Sequence, residues 1–156
     1  MKINILNKII DNIEEKDIIK IISLLNELTN VYNDEFELKG MIEDFKKNIL
    51  KFSSNTKIFI VTIDENIVAL GTLLVEQKII HGFGKVGHIE DIVVSSDYRG
   101  KGIGKKLIDH LITKSKDYGC YKTILNCSNE LVPFYTKCQP DKSRLKIDNT
   151  ISFYFN

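Results

Sequence analysis

A mixed α/β fold is what the sequence predicts, and three observations predict it. Three apolar, β-branched segments follow one another between Lys57 and Val94, an amphipathic helical pattern runs over Lys101–Asp117, and a further apolar segment, Thr123–Cys127, comes after it. Strands on both sides of a long central helix exclude an all-helical bundle and an all-β sandwich. The 156 residues are 43% hydrophobic and 28% charged, which suits one core of ordinary size. No Pro/Ser-rich linker, repeat or charge block divides the chain, so residues 1–156 read as a single domain.

In chain order, Ile5–Ile13 is apolar and β-branched and reads as an opening strand. Asp17 suits the cap of a helix whose apolar positions Ile18, Ile19, Ile22, Leu25 and Leu28 recur at helical spacing. A second amphipathic helix covers Leu38–Leu50. Lys57–Thr62, Asn66–Glu76 and Val86–Val94 are three strands of an antiparallel meander, with Asp64-Glu65-Asn66 turning the first into the second. In the helix over Lys101–Asp117, Ile103, Leu107, Ile108, Leu111 and Ile112 form one stripe, and Gly119 stands where a C-cap belongs. Thr123–Cys127 is a short buried strand, Asn129–Lys137 a short helix and Ile151–Phe155 a closing strand.

Charge and composition exclude several classes. Twenty-two basic against 21 acidic residues argue against a nucleic-acid binder, which needs a clear basic excess. No apolar run approaches the roughly 20 residues that span a bilayer. The opening MKINILNKII is broken by Asn4, Asn7, Lys8 and Asp11, and no small-residue cleavage site follows, so a cytoplasmic location is expected. Three cysteines at unpaired spacings predict neither a disulfide framework nor a metal site; Cys120, Cys127 and Cys138 read as small apolar residues in or beside buried elements. With 25 Ile and 20 Lys but only 2 Arg, the chain is compositionally skewed, which makes Arg99 and Arg144 better functional candidates than usual.

The chemistry is concentrated in Val93–Leu107, where a hydrophobic strand meets a polar turn, a glycine-rich loop and a helix. Glycines allow a close backbone approach to an anion, and the unpaired N–H groups of a helix's first turn point at it. Arg99, Lys101, Lys105 and Lys106 add full positive charges. The loop suits a pyrophosphate, yet it lacks the G-x-x-x-x-G-K-[ST] pattern of a Walker loop. Nor do its glycines follow the dinucleotide fingerprint.

Arg99-Gly100-Lys101-Gly102-Ile103-Gly104, an R/Q-x-x-G-x-G/A pattern between strand and helix, resembles the acetyl-coenzyme A motif of the GNAT superfamily of N-acetyltransferases. GHIEDIVV (Gly87–Val94), KKLIDHLI and KDYGCYKTILNC within Lys105–Cys127, and FYTKC (Phe134–Cys138) are similar to the glucosamine 6-phosphate N-acetyltransferases of that superfamily. The resemblance implies a mixed sheet with helices on both faces, splayed between the strands ending near Val94 and Cys127. Acetyl-CoA would lie in that gap, its pantetheine arm along Ile92, Val93 and Val94 and its pyrophosphate on Arg99, Gly100, Lys101, Gly102, Ile103 and Gly104. It implies Tyr135 as proton donor to the departing sulfur, with Asn126 also beside the acetyl group. Glu90 and Asp91 would contact the amino sugar. Thr29, Lys78, His81, Tyr121 and Lys122 complete the sugar-phosphate contacts. No metal is implied. The partners would be a small amino-sugar phosphate, acetyl-CoA and a second subunit in a homodimer, in a step toward UDP-N-acetylglucosamine.

Neighbours on a regular strand point to opposite faces, so Glu90 and Asp91 are not expected to act as a carboxylate pair. Two positions depart from the family pattern. Asn126 stands where an aspartate is usual, and the closing ISFYFN lacks the arginine that reaches the sugar phosphate, a role that Arg144 could take from an altered path. Two other readings stay open: the same fold acting on another amine, such as a polyamine, an antibiotic or a protein amino group, and a catalytically silent coenzyme A-binding module.

Overall fold

The computed structural model describes residues 1–138 and 145–147. The chain runs through β1 (Lys2–Ile5), α1 (Leu6–Ile9), a 3-10 turn at Ile10–Asn12, α2 (Glu15–Leu28), α3 (Glu35–Leu50), β2 (Thr56–Ile63) and β3 (Asn66–Gln77). It continues through a one-turn segment α4 (Ile80–Phe83), β4 (Lys85–Val94), α5 (Ile103–Asp117), β5 (Cys120–Leu125) and α6 (Val132–Cys138). The five strands lie side by side in chain order, antiparallel except for the parallel pair β4–β5.

Strand alternation sorts the apolar side chains onto two faces. Ile58, Ile60, Leu70 and Val93 join Ile18, Ile21, Ile22 and Leu24 of α2 and Phe45 of α3 in one core. Phe59, Val61, Val68, Leu73 and Ile89 join Ile103, Leu107, Ile108 and Leu111 of α5 in the other. With helices on both faces, β3 is buried from Ile67 through Leu73, which explains its unbroken hydrophobic run.

The central meander and the α5 stripe stand as the sequence predicts. Asp64 and Glu65, both at positive φ, form the two-residue turn between β2 and β3. Gly119, at φ +81°, closes α5, its N–H donating to the Lys116 carbonyl at 2.9 Å.

Elsewhere the expectations need correction. The opening strand is only Lys2–Ile5, paired with β2; from Leu6 the chain turns helical and buries Leu6 and Ile10 under the α2 side. Asp17 does not cap α2, which begins at Glu15, with Asp17 inside its first turn. α3 begins at Glu35, because Asp34 accepts from the Glu37 N–H at 2.9 Å while Glu37 Oε2 accepts from the Asn33 N–H at 2.7 Å. α5 begins at Ile103, since Gly102 at φ +75° cannot belong to a right-handed helix. β5 starts three residues before the expected Thr123 and is largely exposed rather than buried. The closing strand at 151–155 and Arg144 lie outside the described residues.

Candidate active site

β4 and β5 pair only as far as Ile89↔Leu125, and β4 then runs on to Val94 paired with β3 alone. A cavity of about 570 Å³ opens beyond that divergence, lined by Ile92, Val93 and Val94, by Arg99, Gly100, Gly102, Ile103 and Gly104, and on the far side by Leu131, Phe134 and Tyr135. Gly100 and Gly102 are both at φ +75°, where a β-carbon is disfavoured. A β-carbon on Gly104 would lie 3.3 Å from the Phe134 ring, so the absence of side chain there keeps the cavity open between α5 and α6. Helix α5 aims its first turn into this space. Of the predicted loop residues, Lys101 alone does not line the cavity; its ammonium donates to the Asp97 carbonyl at 2.9 Å and sits over the Tyr98 ring. The loop's cations are already engaged: Arg99 with Glu27 and the Val94 carbonyl, Lys105 with Asp109 at 2.6 Å.

Tyr135 is half-buried on α6 and packs on the α5-side core. Burial, and then the neighbouring Cys127 and Cys138 thiols, push its hydroxyl above the usual tyrosine range. The group therefore keeps its proton at neutral pH and stands as a hydrogen-bond donor to negative charge that develops beside it.

The expectation that Glu90 and Asp91 face opposite ways is overturned by a β-bulge. β3 pairs Leu70↔Val93 and Thr72↔Glu90, so Gly71 alone faces both Asp91 and Ile92. Asp91, at φ +54°, is the extra residue. Its presence puts Glu90 and Asp91 on the wall of one 380 Å³ cavity between the sheet, α2 and α3, while Ile92 packs on the α5 side. A β-carbon on Gly71 would come within 2.5 Å of the Ile92 Cδ1, so the glycine leaves room for that side chain opposite the bulge. Burial, and then Asp91, raise the Glu90 carboxyl above the ordinary glutamate range.

The remaining predicted residues form a separate group. His81 lies in α4 at φ +53°, its ring 4.4 Å from that of Tyr121, with Lys122 following at the start of β5. Lys78 pairs with Glu76, which also accepts from His88 Nε2 at 2.7 Å. Six strand steps separate Lys85 from Asp91, roughly 20 Å at about 3.3 Å each. Tyr121 and Lys122, with His81 against Tyr121, thus lie beside the Lys85–Val86 end of β4, and Glu90 and Asp91 lie further along it. Thr29 caps the end of α2, beside the Glu27 and Leu28 that line the larger cavity. Asn126 is exposed after β5. Of the three cysteines read as lying in or beside buried elements, Cys138 is buried, Cys120 half-buried and Cys127 exposed.

The pattern of the acetyltransferase (GNAT) family matches residues 21–139. The chain belongs to this family. It is 42% identical over 116 residues to glucosamine 6-phosphate N-acetyltransferase 1 of Dictyostelium discoideum, covering 72% of this chain and 73% of that one. It is 38% identical over 125 residues to glucosamine 6-phosphate N-acetyltransferase of Arabidopsis thaliana, covering 75% and 78%. The crystal structure of that Arabidopsis enzyme superposes with a TM-score of 0.73 at 33% identity, over 99% of this chain and 98% of that one. An acetyltransferase of Trypanosoma brucei superposes at 0.72 with 28% identity.

As a GNAT acetyltransferase, this chain needs room for acetyl-CoA, and the larger cavity fits it: left-handed glycines below, a helix N-terminus behind and a protonated tyrosine across the gap. Several cavity residues escaped the sequence reading: Glu27, Leu28, Tyr98, Leu131 and Phe134 line the larger cavity, and Thr72 lines the smaller one. Glu27 and Arg99 lie 72 residues apart, so no spacing rule links them. Among the described residues no group of three or more His, Cys, Asp or Glu could hold a metal, and no helix is long and apolar enough to cross a membrane.

Proposed function

We propose that this GNAT chain transfers the acetyl group of acetyl-CoA to the amine of glucosamine 6-phosphate, the reaction named for the relatives above. The observation that carries the reading is the donor cavity, which sets a glycine-lined helix start, an unzipped strand and Tyr135 around one space. Acetyl-CoA supplies an acetyl group activated as a thioester; the chain's residues hold it and manage protons. The 99–104 loop holds the diphosphate, and Ile92–Val94 receive the pantetheine arm. The bulge leaves Asp91 and Ile92 outside the regular pairing of β4 with β3, so a backbone N–H there can meet the carbonyl oxygen as negative charge develops. The sugar nitrogen forms the new C–N bond as the C–S bond breaks, Tyr135 delivers its proton to the departing sulfur, and the proton that nitrogen then sheds to solvent restores the Tyr135 hydroxyl. Glu90 and Asp91 accept from the amine and sugar hydroxyls. An amine beside an electron-withdrawing sugar carbon sheds its proton near neutrality, so a strong base is not required.

The split between the two groups of sugar residues supports a homodimer in which Lys78, His81, Tyr121 and Lys122 of one subunit serve the Glu90–Asp91 wall of the other. The bare tip of the β3–β4 connection agrees: Ile79 is 85%, Ile80 61% and Phe83 71% exposed. Such a soluble enzyme suits the cytoplasm and a step in amino-sugar supply. A thiol-release assay tests the reading: turnover is expected with glucosamine 6-phosphate, and equal efficiency with unphosphorylated glucosamine rejects the phosphate requirement. One observation favours a second reading. Apart from Glu90, Asp91, Thr56 and Thr72, the smaller cavity has apolar walls, including Leu25, Phe45, Ile49 and Phe52, which would suit an amine with an apolar body. Faster turnover of such an amine in the same assay decides for it.

A further inference from the structure

The last turn of α2 reaches both halves of the site. Glu27 Oε2 accepts from the Ser96 backbone N–H at 2.8 Å and from Arg99 Nη2 at 3.1 Å. Arg99 is gripped from its other side as well, Nε donating to the Val94 carbonyl at 2.9 Å. One residue before Glu27, Asn26 Oδ1 accepts from the N–H groups of Val31 at 3.0 Å and Tyr32 at 3.4 Å, fixing the chain as it leaves the helix. Two residues after it, Thr29 ends the helix, its N–H donating to the Leu25 carbonyl at 2.9 Å. A single helical turn therefore ties the diphosphate loop to the segment Thr29–Asn33.

An exposed Glu–Arg pair alone contributes about 0–1 kcal/mol and would mean little. Two features set this one apart. The same carboxylate oxygen also takes a backbone N–H of the turn that feeds the loop, so it holds main chain as well as a side chain. Glu27 also lines the donor cavity itself, where a carboxylate is unfavourable to an incoming diphosphate unless Arg99 neutralises it. Arg99 has five N–H donors, enough to serve Val94, Glu27 and a phosphate oxygen together.

We propose that Glu27 is a positioning residue through which occupancy of the diphosphate loop is transmitted to the Thr29–Asn33 segment that follows α2. A phosphate drawn onto Arg99 shifts the guanidinium and the Ser96 turn together, and Glu27 carries that shift into the end of α2. Linkage makes the effect reciprocal: an acceptor that orders Thr29–Asn33 tightens the hold on the donor. The inference rests on the donor half of the proposed function and not on which amine is acetylated.

Hydrogen exchange on the full chain, with coenzyme A alone as the probe at saturating concentration, tests it. In the wild type, coenzyme A is expected to slow exchange at 99–104 and, by about fivefold or more, at 29–33. Glu27→Ala keeps the slowing at 99–104 and loses it at 29–33. Glu27→Gln retains an acceptor oxygen and keeps most of the effect. Glu27→Asp, one methylene too short to reach, reproduces the loss should the alanine variant not fold. The proposal is overturned if 29–33 does not respond in the wild type, or responds equally in Glu27→Ala. The expected pattern without turnover of glucosamine 6-phosphate upholds the link and rejects that sugar as acceptor.

Discussion

At the scale of single residues, the chemistry depends on two groups whose burial favours the protonated form. Tyr135 keeps its proton because burial disfavours the phenolate. Tyr135→Phe should lower kcat by about 10² or more, with little change in acetyl-CoA affinity by calorimetry; an unchanged kcat removes Tyr135 from its role. Glu90 holds its proton to higher pH in the folded chain than in the unfolded one, through burial first and Asp91 second. The folded state then binds more protons than the unfolded across that window, so stability falls as pH rises through it. The loss is absent below the ordinary glutamate range of about 4.3 and complete above the raised folded value. Glu90→Gln should abolish this decline, and urea midpoints measured across the acid range for both proteins check it. Tyr135 and Glu90 could be named from the sequence because each sits in a contiguous motif, FYTKC and GHIEDIVV. Their environments could not, since the apolar walls beside Glu90 come from α2 and α3 and the core under Tyr135 comes from α5.

At the scale of elements, the meander and α5 were legible because period and turn chemistry are local: alternation, a positive-φ pair at Asp64–Glu65, a stripe ending at Gly119. The β4 bulge was not legible, because a bulge is a mismatch between two strands and leaves no mark in either alone. It matters most for Asp91, whose left-handed backbone is tolerated by Asp, Asn or Gly and resisted by β-branched residues. Asp91→Val should cost about 1–2 kcal/mol in chemical denaturation, and Asp91→Gly much less. The chain's start and β5 were misread for a related reason. Leu6–Ile13 buries itself under α2 as helix and turn, a choice made by tertiary packing rather than by its β-branched composition.

At the scale of the whole molecule, the proposed homodimer shares its sugar half between two chains. Sedimentation should give a mass near twice 17.9 kDa. Mixing and refolding Tyr135→Phe with Lys122→Ala should restore activity that neither variant has alone, since a hybrid holds one site with every group intact. No restoration rejects the shared site. The bulge has a further consequence for how such a molecule can change. Deleting Asp91 would leave Ile92, Val93 and Val94 on the faces they already occupy, because the excised residue is the one without a place in the ladder. Shortening β4 there should leave a well-packed but inert protein, so the lineage could discard its catalysis by losing one codon while keeping its architecture.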